Sequence, residues 1–137
     1  MRCHNCGGES FEKRTVDNLT RVGDHAVLDR SVRRPVCKKC GEYTISADTL
    51  ETLELRAAVC AFEKADKVTG GMLRFARKAL DLTQGELAAR LGTTAESVSR
   101  WEREERPMEP WVELAVTSLI RERLSPLPTD LEFKQAG

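Results

Sequence analysis

The chain has 137 residues, and its 22 Lys and Arg are balanced by 22 Asp and Glu, so overall charge makes no case for a polyanionic partner. No stretch is long and apolar enough to cross a bilayer, and Met1-Arg2-Cys3-His4 opens without the apolar segment of a secretion signal; a cytoplasmic protein is expected. Neither histidine sits in a nucleophile–base arrangement, so the expectation is a binding protein and not an enzyme.

The first element is a cysteine pair, Cys3-x-x-Cys6, which recurs as Cys37-x-x-Cys40; glycine follows each second cysteine, at Gly7 and Gly41. A Cys-x-x-Cys turn presents two thiolates to one ion, and glycine there accepts the positive φ that turns backbone N–H groups towards the sulfurs. Two such pairs predict one closed, four-sulfur structural site that leaves no position for an activated water. Disulfides would need an oxidising compartment, and a redox dithiol would need one motif in a βαβ context. Iron in a rubredoxin-like site fits the same ligands, but such sites pack against aromatics, and here Phe11 and Tyr43 are the aromatics nearby. Ligand softness and spacing therefore favour a single structural Zn2+ on Cys3, Cys6, Cys37 and Cys40. His4 lies inside the first pair without being needed, and His25, after Gly23-Asp24, reads as an exposed hairpin residue.

Between the pairs, Phe11 to Leu19 and Ala26 to Val36 read as strands, and Arg21-Val22-Gly23-Asp24 reads as a turn, although the alternation is imperfect. Residues 1–45 hold nine basic and six acidic side chains. So small a unit needs a staple, which the metal supplies. Ser46-Ala47-Asp48-Thr49 then offers N-caps for a linking helix over residues 46–67, with an apolar stripe through Leu50, Leu53, Ala57, Cys60 and Ala61. Cys60 reads as a small buried hydrophobe. Thr69-Gly70-Gly71 reads as a flexible joint and places a domain boundary there.

From Gly71 the pattern is helix-turn-helix. A helix from Met72 to Leu80 stops at Asp81-Leu82; Thr83 caps the next, with Glu86 as its capping-box partner. That helix, Gln84 to Leu91, breaks at Gly92, and Thr93 or Thr94 caps a third running to about Arg103. Ala88 suits a close helix crossing, and Leu87 and Val98 bury the seam. Gln84 and Thr94 stand at helix N-termini, where backbone N–H groups favour phosphate. Glu96, Ser97 and Arg100 share the outward side of the third helix, and an arginine there can donate twice to guanine. Trp101 and Glu102 turn inward, and Arg77 and Glu102 are expected to form a structural ion pair. A last helix starts at Pro110, with Trp111, Leu114, Ala115, Ser118 and Leu119 expected on the packed side, and residues 125–137 read as a disordered tail. The fold class is α+β: a small zinc-stapled β-rich domain with its linking helix (1–69), then an all-α helix-turn-helix bundle (70–124).

Leu73-Arg74-x-x-Arg77, Leu82-Thr83-Gln84-x-Glu86-Leu87-Ala88, Leu91-Gly92 and Val98-Ser99-Arg100-Trp101-Glu102 resemble the Xre/Cro-type repressors. With the cysteine module in front, the whole order resembles the MqsA/YgiT-type antitoxins. That resemblance implies a homodimer that binds palindromic double-stranded operator DNA and represses its own operon. It also implies a zinc domain that masks a ribonuclease-type toxin encoded alongside. The family's base-reading positions fall on Glu96 and Arg100. The family's namesake has asparagine where Glu96 stands, which implies a different operator, since glutamate accepts from cytosine and cannot read adenine as asparagine does. A stand-alone zinc-stabilised repressor is the alternative; RNA binding or rubredoxin-like electron transfer would be a different class.

Overall fold

The computed structural model describes residues 2–43, 45, 47–124 and 131–136. Its elements are β1 (Phe11–Val22), β2 (His25–Cys37), α1 (Ala47–Lys64), α2 (Gly70–Ala79), α3 (Gln84–Leu91), α4 (Ala95–Glu102), α5 (Pro110–Arg123) and β3 (Leu131–Lys134). The fold is α+β, as expected: an antiparallel sheet in the order β1-β2-β3, with five helices between β2 and β3 in the chain.

The hairpin closes through Gly23-Asp24 alone, because Val22 pairs with His25; Gly23 supplies the positive φ (63°) that so short a loop favours at its first position. The imperfect alternation has a physical cause. Asp17 stands opposite two residues, 30 and 31, in a β-bulge between the Val16–Val32 and Asn18–Asp29 pairs. A bulge shifts the side-chain phase by one. The inward residues of β2 are accordingly Val27 and Asp29 before it, and Val32, Arg34 and Val36 after it.

Helix α1 lies on the inner face of the sheet. Six consecutive residues, Ala57 to Phe62, are buried, so the helix is enclosed on all sides over this stretch and does not present a single stripe; Leu50 stays exposed. A helix apolar all round is one packed between layers. Cys60 is buried there, and burial pushes its thiol upward in pKa. Arg56 donates from Nε and Nη2 to the buried Asp29 carboxylate (2.7 and 3.2 Å), joining helix to sheet. One hydrophobic core runs from Val22 and Val27 through α1 to Met72, Leu73, Leu87, Val98, Val116 and Ile120.

Four expectations need correcting. Thr69-Gly70-Gly71 is not a joint: Thr69 caps α2, and Gly70 packs so closely on the end of α4 that an added Cβ would lie 2.3 Å from the Glu102 carbonyl oxygen. On α5 the buried side is Val112, Val116 and Ile120, while Trp111 and Leu114 are exposed (40% and 71%). In the tail, residues 125–130 and 137 lie outside the described residues, but Leu131–Lys134 is ordered as β3 and pairs with Ala26–Asp29 of β2. His25 is consequently not a free hairpin residue. Its ring packs on Phe133 (centroids 5.1 Å apart), and its Nδ1 accepts from the Ala136 N–H (2.9 Å).

Candidate metal centre and nucleic-acid interface

The hairpin brings the two cysteine pairs together by register. Phe11 pairs with Cys37, so the loop before β1 lies against the loop after β2. Each pair forms the same tight turn: the Gly7 N–H donates to Cys3 O and the Gly41 N–H to Cys37 O, both at 2.9 Å, with φ of 75° and 80° at the glycines. The Gly8 N–H points at Cys6 Sγ (3.4 Å), and a Cβ on Gly8 would stand only 3.2 Å from Cys37 Sγ and 3.3 Å from Cys6 Sγ. Gly8 thus keeps the space around the sulfurs open, a role that the Cys-Gly-Gly run hints at.

All four Sγ atoms of Cys3, Cys6, Cys37 and Cys40 lie within 4.8 Å of one another, and the Cys3–Cys40 and Cys6–Cys37 contacts are 3.6 Å. Ligands at ~2.3 Å from a tetrahedral zinc would be about 3.8 Å apart, so the cluster has the size such an ion requires. The thiols are electrostatically unequal. The Asn5 side chain, then the Glu42 backbone N–H, draw Cys40 down to about 6. Backbone N–H groups of Cys40 and Lys39 lower Cys37. At Cys6 the Gly8 N–H pulls downward, but burial and the three neighbouring sulfurs outweigh it and push the thiol up to about 11. Four sulfurs this close cannot all ionise unaided, and a bound cation is what lets them. His4 is exposed and is not part of the cluster.

In the helical half, the caps form as the sequence predicts. Thr83 Oγ1 accepts from the Glu86 N–H while Glu86 accepts from the Thr83 N–H, which holds the Glu86 carboxyl below its usual range. Gly92 ends α3 in the left-handed region (φ 72°), and Thr94 caps α4 by accepting from the Ser97 N–H at 3.2 Å. Leu87, Ala88 and Val98 are buried at the seam, and Trp101 is buried against the edge of Trp111.

Arg77 donates from Nε and Nη2 to Glu102 (2.7 and 3.1 Å), the expected ion pair, and from Nη1 to Leu82 O (3.0 Å). The Gln84 amide also donates to Glu102 (3.2 Å). Of the five proposed DNA residues, Gln84 is therefore tied inward by its side chain. Thr94, Glu96 and Arg100 are exposed at α4, and Ser97 is half-buried beside them. Arg100 donates to the Glu96 carboxylate (2.6 Å), so the two candidate base readers hold one another. Arg106 donates to Ser97 Oγ (3.4 Å), a cation brought to this surface by the α4–α5 loop without any spacing signal. Exposed Arg74, Lys78 and Arg90 supply further positive charge.

No helix among the described residues is long and apolar enough to cross a membrane. No curated protein matches the chain. Residues 1–122 match the family model described as the antitoxin component of the bacterial toxin-antitoxin system, MqsA, and the chain belongs to that family.

Proposed function

We propose that this chain neutralises a ribonuclease-type toxin encoded beside it, through residues 1–69, and represses its own operon through residues 70–124. The observation that carries this reading is that the family match spans both the four-cysteine module and the helix-turn-helix. Antitoxin family membership implies a toxin partner. The metal in this reading is one Zn2+, supported by four soft ligands at tetrahedral spacing. Its role is to hold the two cysteine loops together, not to perform chemistry.

Operator binding, in this reading, is by a homodimer that sets one α4 in each major-groove half-site. The α3 N-terminus at Gln84 faces a phosphate through backbone N–H groups, since the side-chain amide is held by Glu102. Thr94 and Ser97 meet the backbone beside α4, Arg100 reads guanine, and Glu96 accepts from cytosine or orients Arg100. The test is co-expression with the adjacent reading frame. A neighbour that arrests growth alone, is harmless with this chain and co-purifies with it is the expected result. A harmless neighbour with intact operator binding would instead identify a stand-alone repressor.

A further inference from the structure

We propose that the outer face of the β1–β2 hairpin is where the toxin docks, and that the toxin presents an acidic rim around an apolar contact. This rests on the antitoxin reading above and assigns it a surface. The inner face of the sheet is closed by α1 through Val22, Val27 and the Asp29–Arg56 pair. The outer face is open. At its centre Leu19, 55% exposed, stands directly opposite Leu28. Leucines paired across strands on a solvent-facing surface have no counterpart in this chain to cover them among the described residues.

Cations surround that centre. Arg21 lies beyond it towards the turn, and Lys13 and Arg33 lie beyond it towards the metal end. These three make no ion pair or side-chain hydrogen bond among the described residues, in contrast to Arg30 and Lys134, which share Glu132. Asp17 is the one further acid, at the bulge. The face thus keeps three uncompensated cations around an aliphatic patch, an arrangement that complements carboxylates around an apolar knob or recess. Nucleic acid fits less well, because the centre is aliphatic and the aromatic on this face among the described residues, half-buried Phe11, stands at its metal end, eight residues along β1 from Leu19.

The experiment uses the full-length, metal-loaded chain and the product of the adjacent reading frame, co-expressed and then titrated against purified variants. Leu19→Ala is expected to weaken the complex by about tenfold. Arg21→Glu with Arg33→Glu is expected to weaken it by about 100-fold, chiefly through slower association, and wild-type association should slow as salt is raised. Because all three side chains are exposed, thermal midpoint and operator affinity should stay at wild-type values, which separates lost contact from lost folding. Wild-type binding with unchanged variants would overturn the docking face and leave the antitoxin reading standing. Failure of the wild-type chain to bind the neighbour at all would overturn the antitoxin reading and the proposal with it. Loss of DNA or RNA binding without loss of the protein complex would make the face a nucleic-acid surface and overturn the proposal.

Discussion

Alanine at Gly70 and alanine at Gly71 should act in opposite directions, although the two positions are neighbours. Both stand in the first turn of α2 after the Thr69 cap. A Cβ on Gly70 would lie 2.3 Å from Glu102 O, 2.6 Å from Trp101 O and 2.8 Å from Glu102 C, all backbone atoms that no rotamer change can move. Carbon–oxygen contacts tolerate approach to about 3.3 Å, so the end of α4 must retreat by about 1 Å. That end is anchored by the Arg77–Glu102 pair and by buried Trp101. Overpacking of this kind costs about 1–3 kcal/mol or more, and Ala recovers up to about 1 kcal/mol as the better helix former. Because the clashing atoms are anchored backbone the cost lies at the upper end of that range, and a net loss of about 2 kcal/mol follows for Gly70→Ala, roughly 6–8 °C in Tm for a chain of this size. At Gly71 the new Cβ meets Gly23 Cα at 3.5 Å and Thr69 Oγ1 at 3.9 Å, both ordinary contacts, so Gly71→Ala should gain about 0.4–1 kcal/mol. Thermal unfolding of both variants in the metal-loaded state is the assay. If Gly70→Ala were as stable as Gly71→Ala, the segment would be a joint after all, and the packing argument would fail.

Arg56→Met removes the guanidinium that donates twice to the Asp29 carboxylate, whose side chain is 5% exposed, and should cost about 3–5 kcal/mol by chemical denaturation; a loss under 1 kcal/mol would mean that this ion pair is not what holds α1 on the sheet. Glu96→Gln removes the carboxylate that grips Arg100, so binding to random duplex DNA should tighten and its salt slope should steepen, whereas Arg100→Ala should cost about 1–3 kcal/mol at the operator. Weaker random-DNA binding by Glu96→Gln would remove α4 from the interface. Cys37→Ser should abolish a metal content of one zinc per chain, measured by elemental analysis, while operator binding survives. Metal affinity should fall as pH drops through about 6, because Cys40, thiolate above that value, then takes up a proton that the ion must displace; affinity independent of pH would refute thiolate ligation. Cys6, pushed up to about 11, is protonated at neutral pH, so loading should also release its proton.

What the sequence made legible is what short-range chemistry decides. Each cysteine turn closes within five residues through its glycine, and Thr83-x-x-Glu86 and Thr94 satisfy orphan N–H groups three residues away, so each could be read without knowing the fold. The Arg77–Glu102 pair was legible because the helix-turn-helix pattern fixes which helices meet. Other features depend on partners far along the chain. The run Trp111-Val112-x-Leu114-Ala115-Val116 is apolar on several sides, and which side is buried is settled by what it packs against. Leu131-Glu132-Phe133-Lys134 is too short to declare itself a strand, and its order comes from the β2 edge, the His25 ring and the Glu132–Arg30 pair. Gly70-Gly71 looks like a joint in sequence because glycine serves both freedom and close approach, and only the position of α4 distinguishes the two.

The four-cysteine cluster and the shared core lie at opposite ends of the hairpin, so a metal held by the cysteines would secure the end that the core does not reach. A strand of β1's twelve residues spans about 35 Å, so the Gly23 turn and the cysteine loops are far apart. At the turn end, Val22 and Val27 belong to the core that continues into α1 and α2, and Gly23 stands close enough to Met72 that a Cβ there would be 3.0 Å from its Cγ. At the other end, Cys3, Val32, Val36 and Cys37 are buried but lie outside that core. So few apolar side chains cannot fix two loops against the entropy of ordering them. The metal is the term that can, and its strength is local to the loops it joins. The helix-turn-helix, with its own buried seam at Leu87, Ala88 and Val98, does not depend on that ion for its packing. Metal loading can therefore govern the cysteine end of the sheet while the helix-turn-helix keeps its geometry.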